Sequence, residues 1–105
     1  MQLCNLIPTN QIRIRDPYIV AVNESRTYYL FGTTDTDPWN GDGEGFMVYE
    51  SKDLEHWSKP IYAFKKPQDF WATKQFWAPE VHQCNGYWYM LASFKSEDRC
   101  RGTQI

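Results

Sequence analysis

The sequence predicts an all-β chain organised as a β-propeller, on three observations. Short runs rich in Tyr, Val, Ile, Phe and Trp follow one another, separated by turns containing Gly, Asn, Asp and Pro. No stretch sustains the 3.6-residue apolar period of an amphipathic helix. After four runs the pattern restarts. Asp16-Pro17-Tyr18-Ile19 aligns with Ala78-Pro79-Glu80-Val81, and Tyr28-Tyr29-Leu30-Phe31 with Trp88-Tyr89-Met90-Leu91, a step of 62 residues between Pro17 and Pro79. Four strands and a restart is how propeller blades repeat.

The elements follow in order. Pro17–Val22 reads as a strand, Asn23–Arg26 as a polar turn, and Thr27–Phe31 as the second strand of a hairpin. Gly32–Gly45 is a long loop rich in Gly, Asp, Thr and Pro. Phe46–Glu50 is a third strand, Ser51–His56 a turn, and Trp57–Phe64 a short fourth strand. The second unit opens with the strand Ala78–Gln83. Cys84-Asn85-Gly86 turns the chain, with the Asn-Gly pair typical of a tight hairpin, into the strand Tyr87–Ser93. Arg101–Ile105 reads as a further strand just beginning. Residues 1–105 thus form the N-terminal portion of one propeller domain, with a first blade over about 14–64 and a second starting at about 76. The second blade stops short, which reads as a truncated chain.

Composition narrows the function. Net charge is −2 with acids and bases interspersed, so no basic stripe points to nucleic acid. No apolar run approaches the ~20 residues of a membrane span. The opening Met1–Pro8 lacks the basic and apolar regions of a signal peptide, which predicts a cytoplasmic protein. Cys4, Cys84 and Cys100 fit neither a zinc spacing nor a disulfide framework and read as free thiols. Aromatic residues make up 17% of the chain. Most must be core, but flat aromatic faces also stack on sugar rings.

Four places carry candidate chemistry. Asp16, in Arg15-Asp16-Pro17, stands before a first strand. Pro17 disfavours the helical region for Asp16 and predicts an extended residue there, with its carboxylate pointing into the funnel shared by all blades. Phe76-Trp77-Ala78-Pro79-Glu80-Val81-His82 holds the same position in the second unit. Trp77 could stack on a sugar beside the space left by Ala78, and Glu80 is either a site acid or a structural carboxylate. Ser51-Lys52-Asp53-Leu54 with Trp57 reads as a structural turn, with Leu54 and Trp57 packing inward. The loop carrying Asp35, Asp37, Trp39, Asp42 and Glu44 does not match the calcium-loop spacing. It reads as a rim loop that offers Trp39 to substrate.

These pieces together resemble family 43 of the glycoside hydrolases. The likeness rests on Ile14-Arg15-Asp16-Pro17-Tyr18-Ile19, on Ser51-Lys52-Asp53-Leu54 with Trp57, and on Phe76-Trp77-Ala78-Pro79-Glu80-Val81 followed by Gly86-Tyr87-Trp88-Tyr89. The resemblance implies a five-bladed propeller, of which this chain is about a third: five steps of the observed length need about 310 residues. It implies hydrolysis of arabinose- and xylose-containing saccharides, including those of plant cell walls, with inversion at the anomeric carbon. Asp16 would be the general base. The general acid, a Glu, and a second Asp that tunes it would stand on later blades, so the 105-residue chain would be inactive alone. Trp77, Ala78, Trp39 and Glu80 would contact substrate. No cofactor motif is present. A structural calcium ion on the propeller axis occurs in some members of the family, but no ligands for it can be named here. Three other readings remain open. One is a fructan- or sucrose-cleaving propeller in which the early Asp is a nucleophile. Another is a non-catalytic carbohydrate-binding propeller module. The third is a β-rich interaction module with an aromatic core.

Overall fold

The computed structural model describes residues 6–105, so Cys4 and the start of the Met1–Pro8 segment lie outside the described residues. The strands are β1 (Ile7–Pro8), β2 (Arg15–Val22), β3 (Thr27–Thr33), β4 (Gly45–Ser51), β5 (His56–Trp57), β6 (Ile61–Lys65), β7 (Lys74–Cys84), β8 (Tyr87–Lys95) and β9 (Gly102–Gln104). A 3-10 turn spans Thr9–Gln11. No helix among the described residues is long and apolar enough to cross a membrane.

Two antiparallel sheets result. The first runs β1-β5-β4-β3-β2, with β6 also paired to β4; the second runs β7-β8-β9. The hairpins form where the turn chemistry predicts them. Asn85 and Gly86 both take positive φ, 51° and 80°, between the paired residues Cys84 and Tyr87. That backbone suits a two-residue hairpin between right-twisted strands. In the Asn23–Arg26 turn, the Arg26 N–H donates to the Asn23 carbonyl at 3.2 Å.

The predicted single fourth strand is in fact two, β5 and β6, interrupted at Ser58-Lys59-Pro60. Pro60 has no N–H to give a ladder. Ser58 bridges the gap: its N–H donates to the Glu50 carbonyl at 2.8 Å, and its Oγ accepts the Glu50 N–H at 3.0 Å. The short β1, not foreseen from sequence, pairs with β5. It is anchored through Thr9, whose Oγ1 accepts the Trp57 indole N–H at 2.8 Å and donates toward the Leu54 carbonyl at 2.9 Å. Trp57 packs inward as expected, but Leu54 is exposed and takes φ 65°. The Ser51 Oγ accepts the Asp53 and Leu54 N–H groups and curls the turn outward at that position.

The core lies between the sheets. Phe46, Phe76, Phe94, Ala72 and Ala92 are buried together, with Phe64, Phe70, Trp71 and Met90 packed against them. The rings meet edge-on or tilted; Phe76 and Phe94 have centroids 4.8 Å apart at 77°. A smaller cluster of Leu30, Tyr49 and Trp57 is covered by Ile7, Ile12 and Ile14. These two clusters take nine of the 18 aromatic residues in the sequence, and the first fastens one sheet to the next. Gly43 makes that contact possible: a Cβ there would lie 2.5 Å from the Phe76 ring, while its N–H donates to the Thr73 carbonyl at 2.7 Å.

Candidate active site

The site begins with a backbone irregularity. Between Arg15 and Tyr18 the β2–β3 register shifts, and Asp16 takes φ 49°. The extended conformation expected for Asp16 is thus not adopted. A β-bulge removes Asp16 and Pro17 from the ladder, and Pro17 loses nothing because it has no N–H to pair. Bulges re-aim side chains at the ends of strands, and Asp tolerates the left-handed region better than most residues. Gly32 permits the close approach: a Cβ there would meet the Arg15 carbonyl oxygen at 2.8 Å.

The second sheet repeats the device. The β7–β8 register shifts between Trp77 and Glu80, and Ala78 takes φ 50°. Asp16-Pro17 and Ala78-Pro79 are therefore equivalent in backbone as well as in sequence. The bulge frees the Ala78 N–H, and Thr33 on the neighbouring sheet satisfies it: Thr33 Oγ1 accepts that N–H at 2.9 Å.

Between the two bulges is a cavity of about 230 Å³ lined by Arg15, Asp16, Thr33, Pro38, Trp39 and Trp77. Asp16 is the one carboxylate in its lining. It is exposed, and among the described residues no side chain or backbone donor occupies its oxygens, which leaves them open to water. Trp39 and Trp77 meet edge-to-face, with centroids 5.0 Å apart at 67°. The Trp77 indole N–H donates to the Pro38 carbonyl at 2.7 Å. The Arg15 guanidinium lies 5.3 Å from the Trp39 ring centre. The rim loop is held by its own acids. Asp37 Oδ1 accepts the N–H groups of Trp39 and Asn40 at 3.3 and 3.1 Å, and Asp35 accepts those of Glu44 and Gly45. Burial raises the Asp35 carboxyl above the ordinary aspartate range, against the lowering effect of those backbone donors.

The structure thus brings Asp16, Trp39 and Trp77 together, with Ala78 at the edge of the group. Glu80 does not line the cavity. It is exposed and meets His82 Nε2 at 3.1 Å, and His82 in turn lies against Tyr18 with ring centroids 5.7 Å apart. Thr33 and Pro38 are site residues that sequence reasoning missed. A Thr at a strand end carries no signal until the neighbouring bulge is seen to need an acceptor.

Among the described residues, the one group of three possible ligands close enough to share an ion is Asp53, Glu55 and His56. Calcium takes six to eight oxygens, and this group offers an imidazole. Its Asp53 is already committed, accepting from the Glu55 and His56 N–H groups at 2.9 and 2.8 Å and contacting His56 Nδ1 at 2.9 Å. Chiefly that His56 contact holds the Asp53 carboxyl far below the usual range.

Known proteins share this fold. The family model described as glycosyl hydrolases family 43 matches residues 6–105. An endo-arabinase from Bacteroides thetaiotaomicron is 35% identical, with a TM-score of 0.75 over 92% of this chain and 31% of its own. A thermostable family-43 glycoside hydrolase is 30% identical, with a TM-score of 0.71 over 92% of this chain and 30% of its own. An endo-arabinanase from Bacillus licheniformis is 27% identical, with a TM-score of 0.61 over 86% of this chain and 31% of its own. No curated protein matches the chain. The chain spans about 31% of the length of the first of these structures, and its two sheets are a portion of their propeller. Family model and fold agree: this chain belongs to family 43 of the glycosyl hydrolases.

Proposed function

We propose that the full-length protein carrying this chain is a glycosidase that cleaves bonds between pentose units by inversion, with Asp16 as the general base. The observation that carries the reading is the Asp16 bulge, which turns an otherwise unoccupied carboxylate into a cavity walled by two indoles. In an inverting reaction that carboxylate takes a proton from water as the water attacks the anomeric carbon. A carboxylic acid on the opposite side protonates the departing oxygen, with a separation of ~6.5–9.5 Å between the two groups. Asp16 is the only acid in the cavity lining, so the second carboxyl must come from another part of the propeller, and the 105-residue chain alone is inactive. Trp39 and Trp77 offer the apolar surface on which a furanose or pyranose packs. The Bacteroides and Bacillus structures are named for action on arabinan, which favours arabinose-containing chains over xylose-containing ones as first substrates to test.

The test uses the full-length protein and its Asp16→Asn variant on linear arabinan and on aryl pentosides. General-base catalysis contributes about 10²–10⁴-fold, and Asp16→Asn should lose that factor while keeping the wild-type fold and saccharide affinity. NMR of the first-formed sugar should show the inverted anomer. Retention of configuration would point to a nucleophilic Asp16. Undiminished hydrolysis by Asp16→Asn would remove Asp16 from the mechanism, and saccharide binding with no turnover by the wild type would mean a binding propeller.

A further inference from the structure

Trp77 borders two cavities. One is the Asp16 cavity. The other is an open cavity of about 640 Å³ whose lining includes Gln75, Lys95, Glu97 and Arg101. Arg101 lines the second and not the first. Its guanidinium carbon lies 3.9 Å from the Trp77 ring centre. Arg101 Nη1 donates to Ser93 Oγ at 2.7 Å and to the Gln75 carbonyl at 3.3 Å, and Nη2 donates to Gln75 Oε1. Gln75 passes the connection on: its Nε2 donates to the Trp39 carbonyl at 3.1 Å. One guanidinium on the β8–β9 connection is thus linked to both indoles of the site, and through Trp39 to the first sheet.

We propose that Arg101 is a positioning residue that sets the angle and separation of the Trp39–Trp77 pair, and through it the affinity for the sugar beside Asp16. The substrate side of this inference rests on the hydrolase reading above; the positioning side does not. A planar, forked cation is required. Stacking at 3.9 Å and donating in two directions at once is guanidinium geometry, which an ammonium does not reproduce. Lysine should therefore fail to rescue.

The experiment compares full-length wild type, Arg101→Ala and Arg101→Lys, each labelled with 5-fluorotryptophan. Trp39 and Trp77 resonances are assigned through Trp39→Phe and Trp77→Phe. In both Arg101 variants the Trp77 and Trp39 signals should shift or broaden, while that of Trp57, buried in the other cluster, stays in place. KM for the pentoside should rise about three- to thirtyfold with kcat within about twofold, the pattern of lost binding common to ground and transition states. Arg101 is exposed, so both variants should fold. Gln75→Met, which keeps Arg101 but cuts its link to Trp39, should move the Trp39 signal by itself. An unmoved Trp77 signal in Arg101→Ala overturns the proposal, as does rescue by Arg101→Lys or an unchanged KM in the presence of moved signals. Failure of the hydrolase reading would show in the wild type itself, and there the fluorine spectra still decide the positioning role.

Discussion

Replacing Thr33 with Val swaps a hydroxyl for a methyl of nearly equal size, in a side chain only 4% exposed. It leaves no cavity, so the effect isolates one hydrogen bond, from the Ala78 N–H to Thr33 Oγ1 at 2.9 Å. A neutral bond of this kind contributes about 0.5–1.5 kcal/mol net, and a fully buried orphan donor costs about 1–3 kcal/mol. Ala78 is exposed, so water can reach part of the orphaned N–H, and the cost should fall near 1 kcal/mol, roughly fivefold in local opening. Amide exchange in ¹⁵N-alanine-labelled full-length protein reads that opening at Ala78 directly. Thr33→Val should exchange roughly fivefold faster there, and Thr33→Ser, which keeps the acceptor, should stay near wild type. Unchanged protection in Thr33→Val, or loss of protection in Thr33→Ser, would mean that packing holds the bulge and that the hydroxyl does not.

Three other outcomes follow from the same structure. Phe46→Ala empties the centre of the aromatic core, where Phe46 is fully buried. It should cost about 3–5 kcal/mol in urea unfolding. Gly43→Ala places a methyl 2.5 Å from the Phe76 ring, and overpacking of this kind should lower stability by about 1–3 kcal/mol. Burial raises the folded-state Asp35 carboxyl above its unfolded value, so folding favours its protonated form. Its contribution is therefore present below the unfolded value and lost as pH rises through the folded one. Thermal unfolding across that window should show wild type losing stability relative to Asp35→Asn as pH increases.

Local chemistry made much of this protein legible in the sequence. The runs of β-favouring residues and the Asn85-Gly86 turn are short-range signals, because strand preference and turn dihedrals are set by neighbours in the chain, and the 62-residue echo of Pro17 in Pro79 is one such local pattern met twice. Asp16 stood out for the same reason: Arg15-Asp16-Pro17 before a strand is a local pattern, as is Trp77-Ala78-Pro79. Tertiary structure decided the rest. Asp16 takes a positive φ and not the extended form that Pro17 alone favours, because a bulge beside Gly32 overrides a dipeptide preference. The fourth strand breaks at Pro60 and is rejoined by the Ser58 hydroxyl, a repair visible only against Glu50. Thr33 reaching Ala78, and Arg101 bracing Trp77, join residues 45 and 24 positions apart. No periodicity encodes such pairings, which exist only once the core of Phe46, Phe76 and Phe94 has brought one sheet against the next.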